Sequence, residues 1–281
     1  MQTTKHTPVM LEQSINGMNI QKKGIYIDAT YGFGGHSNKI LSLLDDEGRL
    51  FAVDKDINSI KVAEKALSGD KRFSPKHGCF SSLGDYSKGW GIYGAVNGIL
   101  FDLGVSSEHL DNPERGFSFR QNGPIDMRFD QSCGLSACEW IDSVDEQTLY
   151  KVIKRYGEER YSKRIAREII FHREKDKINN THDLVKVIDR AIPKNEKNKH
   201  NATRTFQAIR IFINNELELL KEALHNSYNI LAPKGRLVLI TYHSLEDRVI
   251  KDFLTYTDKS LSAPRDLPLK NEFLTKMYNL V

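Results

Sequence analysis

Cysteine is scarce in this chain: Cys79, Cys133 and Cys138 are odd in number and form no Cys-x-x-Cys pair. Neither a disulfide framework nor a cysteine-based zinc site is indicated. No apolar run approaches the ~18 residues of a membrane span, and the first ten residues lack the apolar stretch of a signal peptide. A cytoplasmic protein without membrane contact is expected. A large excess of either charge is also missing. Lys and Arg number 41 against 37 Asp and Glu, a net charge of +4 that neither demands nor excludes a nucleic-acid partner. What remains is a soluble globular composition, 39% hydrophobic and 28% charged over 281 residues, enough for one large domain or two ordinary ones.

The stretch from Gly24 to Ser37 is the most informative. Ile25 to Ala29 is a short strand-forming run, followed by Gly32, Gly34 and Gly35 and then by a helical pattern carrying Ile40, Leu41 and Leu44. Strand, tight turn and helix aim free N–H groups into a crevice, and glycines permit positive φ and close approach of a ligand. A second apolar strand begins at Arg49 and ends in Asp54, close to the ~20 residues beyond the glycines expected of a carboxylate that binds a ribose diol. The dinucleotide pattern G-x-G-x-x-G needs Gly or Ala at position 37 and meets Ser37. Asp28, before the glycines, would repel a pyrophosphate but suits the ammonium of an amino acid. S-adenosylmethionine carries both that ammonium and a ribose, so it is favoured over a dinucleotide.

Further strands are expected at Phe73 to His77, Ala95 to Phe101 (ending in Asp102) and Arg236 to Tyr242, with helices between them. Such alternation implies a mainly parallel, Rossmann-like α/β sheet, whose ligands sit at the carboxyl ends of the strands. Asp28, Asp54, Phe80 and Asp102 should therefore converge on one crevice. From about Asp111 to Arg204 the alternation stops and only helices follow. One is expected to open with Ser143 and Glu146 as a capping box, another with Thr181 as N-cap. A single long helix is expected from Phe206 to Leu231, on a stripe that includes Ile209, Ile213, Leu217, Leu220 and Leu224. The division that results is 1–110 and 205–281 for the sheet domain, with an inserted all-helical domain at 111–204.

Seven motifs in order resemble a known family: Asp28-Ala-Thr-Tyr-Gly-Phe-Gly-Gly-His-Ser37, Asp102-Leu-Gly-Val-Ser-Ser107, Arg115-Gly-Phe-Ser-Phe119, Gly123-Pro-Ile-Asp-Met-Arg128, Tyr156-Gly-Glu-Glu-Arg160, Ala202-Thr-Arg-Thr-Phe-Gln-Ala208 and His243-Ser-Leu-Glu-Asp-Arg248. From His6 to about Phe253 the chain is similar to the bacterial small-subunit ribosomal RNA cytosine-N4 methyltransferases (RsmH, formerly MraW). The resemblance implies a class I S-adenosylmethionine-dependent methyltransferase fold with a helical insertion. It also implies methylation of the N4 amine of a decoding-region cytidine, in small-subunit ribosomal RNA or the assembled subunit. By the same resemblance Gly34, Gly35, His36, Asp54, Phe80 and Asp102 bind the cofactor. His109 stands at the family's next cofactor contact, usually a glutamine, and is the candidate cofactor residue there; Phe33 stands where the family has an arginine. The family's closing Asn-Pro-Arg-x-Arg-Ser segment, which supplies a last strand, is absent, and an incomplete sheet edge is expected.

Cytosine N4 is a poor nucleophile because its lone pair is delocalised, so an enzyme must orient it and offer its proton an acceptor. Asp102 is the candidate catalytic acceptor, with a cofactor contact alone as the other reading of it. Phe117 and Phe119, beside Arg115, are candidates to stack on a flipped base, or else core phenylalanines. Lys151, Lys154, Arg155, Lys163, Arg164 and Arg167, with Lys194, Lys197, Lys199 and Arg204, form a candidate phosphate-binding surface or a solvated helix face that Glu158, Glu159 and Glu168 partly neutralise. No metal site is expected; His243 and Glu246 are read as part of a helix start capped by Ser244. Two rival functions stay open: a non-catalytic RNA-binding or assembly factor, and a methyltransferase of the same fold acting on DNA or a small molecule. The sequence leaves the oligomeric state open, a homodimer included.

Overall fold

A computed structural model describes residues 8–193 and 200–260, with side chains described up to residue 255. His6, Thr7, Lys194, Lys197, Lys199 and the stretch 261–281 lie outside the described residues. The chain divides into two compact units, Met1–Gly104 with Leu217–Val281, and Val105–Glu216. In chain order the first unit contributes α1 (Leu11–Met18), β1 (Ile25–Asp28), α2 (Gly35–Leu43), β2 (Arg49–Asp54), α3 (Ile57–Ala66), β3 (Phe73–His77), a 3₁₀ turn (Phe80–Ser82), α4 (Leu83–Gly89) and β4 (Val96–Asp102). The second unit holds α5 (Ser107–Asp111), α6 (Ala137–Ser143), α7 (Glu146–Gly157), α8 (Ser162–Arg173), α9 (Thr181–Ala191) and α10 (Thr203–Asn214). The chain returns through α11 (Glu216–Ile230), β5 (Leu231–Ile240) and α12 (Ser244–Ser260).

The strands form a five-stranded sheet in the order β3-β2-β1-β4-β5, each pairing parallel. Alternate strand residues face opposite layers, as a period of two requires. Tyr26, Leu50, Ala52 and Leu100 pack with residues of α1, α2 and α3; Ile27, Phe51, Val53, Ile99 and Phe101 pack with residues of α4, α11 and α12. Both faces being covered explains why these strands read as near-continuous apolar runs. The order reverses direction between β1 and β4, and at such a switch point the strand ends part to leave a crevice. No helix among the described residues is long and apolar enough to cross a membrane.

The helical unit has its own core, in which Ile125, Met127, Ile141, Leu149, Ile153, Ile165, Ile169, Leu184, Ile188 and Ile209 are wholly buried or nearly so. Two of the expected motifs interlock here. Gly116 has a positive φ of 69°, and a Cβ on it would run into the backbone of Pro124 to Asp126; a Cβ on Gly123 would run into the Pro113 carbonyl. Met127 N–H donates to the Arg115 carbonyl at 2.9 Å. The glycines of both motifs are thus required by loop-to-loop packing.

Several boundaries differ from the sequence expectation. The long helix is two helices, because Asn215 takes a left-handed conformation (φ 53°) and ends α10, with its N–H on the Ile211 and Phe212 carbonyls. An apolar stripe continues across such a break unchanged, and asparagine tolerates the conformation at low cost. The chain crosses from the helical unit to the sheet unit at this point, so α10 belongs to the former. Helix caps shift by a residue or two. Asp145, and not Ser143, caps α7 by accepting from Thr148 N–H; Asn180, and not Thr181, caps α9 by accepting from Asp183 N–H. Ser143 closes α6, whose own capping box is Ser136 with Glu139. At α12, His243 Nδ1 accepts from Glu246 N–H at 3.4 Å, so the imidazole takes the place expected of Ser244. Finally, β5 starts early: Leu231 pairs with Val96, and the ladder then resumes at Arg236 opposite Gly98 after an irregularity around Lys234.

Candidate active site

Three carboxylates stand at the carboxyl ends of β1, β2 and β4, as the strand-end rule predicts, but their surroundings differ. Asp28 is buried at 1% exposure; its Oδ2 accepts from the Ser37 hydroxyl at 2.6 Å and its Oδ1 from Thr30 N–H at 3.2 Å. Burial pushes its pKa up, against the Ser37 bond and the nearby His36. The Ser37 bond ties the Asp28 side chain to the start of α2. Ser37, the residue that breaks the dinucleotide pattern, is its partner.

Asp54 is half-buried. Its Oδ2 accepts from Gly32 N–H at 2.7 Å and its Oδ1 from Asp56 N–H at 2.8 Å. A carboxylate at the end of this strand is the acceptor that a ribose diol requires. Asp102 lies half-buried at the end of β4, where its N–H donates to Thr30 Oγ1 at 2.7 Å. Its Oδ1 accepts from the Tyr242 hydroxyl at 2.8 Å, and His36 Nδ1 lies 3.8 Å from its Oδ2. Burial raises the Asp102 pKa, while the Tyr242 bond and His36 pull it down. Burial and the Asp28 and Asp54 charges hold the Tyr31 phenol at about 12, so it is neutral.

The glycine turn is used differently from the expectation of simple ligand approach. A Cβ on Gly34 would collide with the Tyr31 hydroxyl, and one on Gly35 with the ring of Pro8, so the protein itself fills both spaces. Among the described residues Gly32, at φ 55°, has only the Thr30 carbonyl within reach, 4.0 Å from an added Cβ. Helix α2 begins on Gly34, which has no side chain to cap it, so the N–H groups of its first turn suit an anionic group. His36 is 5% exposed and its Nε2 has no hydrogen-bond partner among the described residues, an orphaned polar atom close to Asp102. Phe80, in the turn after β3, is half-buried and meets Phe101 edge-on at 5.7 Å. A glycine with room around it among the described residues, a strand-end carboxylate, a helix start without a side-chain cap and a half-buried phenyl ring together fit a zwitterionic nucleoside such as S-adenosylmethionine.

The structure therefore brings Gly34, Gly35, His36, Asp54, Phe80 and Asp102 together in the sheet unit. His109 belongs to the helical unit, where its Nδ1 accepts from Ser106 N–H at 3.2 Å and its ring packs on Phe117 and Phe129 at 4.9 and 5.3 Å. Arg115 is 5% exposed and its Nη2 donates to the Arg128 and Phe129 carbonyls at 2.9 and 3.0 Å. Burial takes it out of the set of surface cations. Phe117, 7% exposed, stacks on Phe129 at 5.2 Å and belongs to the core; Phe119 is half-buried against Phe206 and His200. Arg164 is exposed on α8, and Arg204 Nη1 lies 3.6 Å from the buried Glu159. Sequence reasoning missed Tyr242 and Thr30. Tyr242 lies two residues beyond the end of β5, so the rule that found the acids could have found it.

A parallel sheet with this strand order, carrying an acid at each of three strand ends and a glycine turn into α2, defines a class I methyltransferase with S-adenosylmethionine as cofactor. The sequence model of the MraW methylase family matches residues 3–281, and the chain belongs to that family. Among solved structures it is similar to a Clostridium thermocellum chain provisionally named an rRNA-methylase (22% identity, 40% of this chain and 59% of that chain covered, TM-score 0.31). It is also similar to PH0851 (13% identity, 89% and 37% covered, TM-score 0.44) and to P. horikoshii TYW2 in complex with MeSAdo (13% identity, 56% and 56% covered, TM-score 0.27). The chain thus spans 37 to 59% of the length of those solved chains.

Proposed function

We propose that this chain methylates the exocyclic N4 amine of a cytidine in the decoding region of small-subunit ribosomal RNA, acting in the cytoplasm on the RNA or the assembled subunit. The supporting observation is Asp102, a partly exposed strand-end carboxylate in a methylase-family chain, with one oxygen bonded to Tyr242 and the other near His36. When bound, S-adenosylmethionine supplies an activated methyl group on a sulfonium. Asp54 would hold the ribose hydroxyls, the first turn of α2 from Gly34 to His36 the amino-acid carboxylate, and Phe80 the adenine. Asp102 accepts a hydrogen bond from N4–H, which localises the nitrogen lone pair, and then takes the proton as the nitrogen becomes bonded to carbon. Partial burial favours this role, since it brings the carboxyl's basicity closer to the working pH.

RNA would be gathered by the exposed cations of α7 and α8, Lys151, Lys154, Arg155, Lys163, Arg164 and Arg167, through its phosphates. Phe119, half-buried, would meet a base through its remaining exposed face. The test is transfer of labelled methyl from S-adenosylmethionine to unmodified small-subunit RNA and to subunits, followed by digestion to nucleosides. Label on cytidine N4, largely lost in Asp102→Ala, is the expected result. Label only on protein, on DNA or on small molecules overturns the substrate, and absence of S-adenosylmethionine binding by calorimetry would favour a non-catalytic RNA-binding factor.

A further inference from the structure

Tyr242 is 52% exposed, yet it is held at three points. Its N–H donates to Oε2 of the buried Glu246 at 2.8 Å. Its ring lies over Gly104, where an added Cβ would stand 3.4 Å from Tyr242 Cδ2, and Gly104 has φ 91°. Its hydroxyl donates to Asp102 Oδ1 at 2.8 Å. An exposed tyrosine ordinarily turns its hydroxyl to water. Here the backbone, the ring and the hydroxyl are all committed, and what the commitment fixes is the rotation of one carboxylate.

We propose that Tyr242 is a positioning residue for Asp102: its bond to Oδ1 fixes the carboxylate plane, and Oδ2, which accepts no hydrogen bond among the described residues, is the oxygen that receives the substrate amine. The inference rests on the reading of Asp102 as the proton acceptor for an exocyclic amine. A carboxylate free to rotate presents either oxygen in many orientations, and the hydrogen bond removes that freedom before substrate arrives. The charged and titratable groups around the pair include Asp28 from β1, His36 from α2, and Glu246 from α12 behind the tyrosine, with His243 Nε2 3.3 Å from Glu246 Oε1. Tyr242 and His36 favour the ionised carboxylate, and burial opposes it. Burial and the Asp102 bond push the Tyr242 phenol well up, so it remains a donor across the working range.

The test is Tyr242→Phe in the full chain. In protein carrying carbon-13 at aspartate carboxyls, with Asp102→Asn assigning the signal, the titration midpoint of Asp102 should move up when the hydroxyl is removed; an unmoved midpoint overturns the proposal. In methyl transfer to RNA, kcat at neutral pH should fall about tenfold, the effect of losing one hydrogen bond to a charged group, with KM for RNA nearly unchanged. The acid limb of the pH profile should move up with the carboxyl midpoint. A rise in KM alone would make Tyr242 a substrate contact and overturn the positioning role. The spectroscopic arm needs no substrate: a shifted midpoint with no RNA methylation in the wild-type chain sinks the RNA reading and leaves the tyrosine–carboxylate coupling standing. Methylation with an unshifted midpoint sinks the tyrosine's role alone.

Discussion

At the strand ends of the sheet unit, Asp28 and Asp102 are carboxyl groups that burial pushes above their ordinary range. In the helical unit Asp126 has the opposite fate. Burial alone would raise it, but Arg128 donates Nε to Oδ1 at 2.9 Å and Nη2 to Oδ2 at 2.8 Å, and the net shift is down. Arg115 donates to backbone carbonyls, and Asn214 ties the loop by donating to the Met127 carbonyl at 2.7 Å and accepting from Phe129 N–H at 2.8 Å. The sheet unit keeps polar groups under tension beside a crevice, while these groups of the helical unit are spent on holding loops. A motif can thus carry reactivity in one unit and architecture in the other.

Asp102→Asn should break the first half of that contrast with the largest effect: methyl transfer falls about a thousandfold, as for loss of a proton acceptor, with little change in the urea midpoint. For the wild-type chain the same contrast predicts an acid limb of activity above the ordinary carboxylate range, because burial raises the Asp102 pKa and only the ionised form accepts a proton. Arg115→Ala should cost about 3 kcal/mol of stability, since it removes a buried, packed side chain and takes a donor from two part-buried carbonyls. Unchanged stability with weakened RNA binding would instead make Arg115 a phosphate contact.

Asp126→Asn should cost about 2 kcal/mol at neutral pH by breaking the two-point ion pair. Its folded pKa is depressed, so its contribution is present above the unfolded value and is lost as pH falls through the folded one; urea melts at stepped pH should show the wild type and variant converging at the acid end. Arg164→Ala should have the smallest effect. Stability should stay within about 0.5 kcal/mol, RNA affinity should drop about threefold, and the slope of log affinity against log salt should flatten by about one.

The sheet unit was legible because its signals are one-dimensional. Strand runs end in acids, and the strand-end rule places Asp54 and Asp102 without further information. The helical insertion was legible as an interruption of that alternation. What the sequence hid were effects decided by a single dihedral or by partners far along the chain. The stripe from Phe206 to Leu231 is periodic on both sides of Asn215, so one left-handed residue divides it invisibly. Asp145, Asn180 and His243 cap helices within two residues of equally good candidates, and only geometry selects between them. Arg115 reads as a surface cation next to aromatics until residues 128 and 129 are seen to bring it their carbonyls. The position of Tyr242 just past a strand end was legible, but its bond to Asp102 was not, because that partner lies 140 positions away.

One small contact at the switch point sets a dimension. Beyond the Asp28–Leu100 pair, Ala29 N–H still reaches the Leu100 carbonyl at 2.9 Å, but the next bond across the gap runs from Asp102 N–H to the Thr30 side chain at 2.7 Å. A hydroxyl thus replaces a rung of the ladder just where β1 and β4 part. The aperture between the two strands is gauged by one threonine, and its width can be altered by substitution at a position that leaves all three strand-end acids in place.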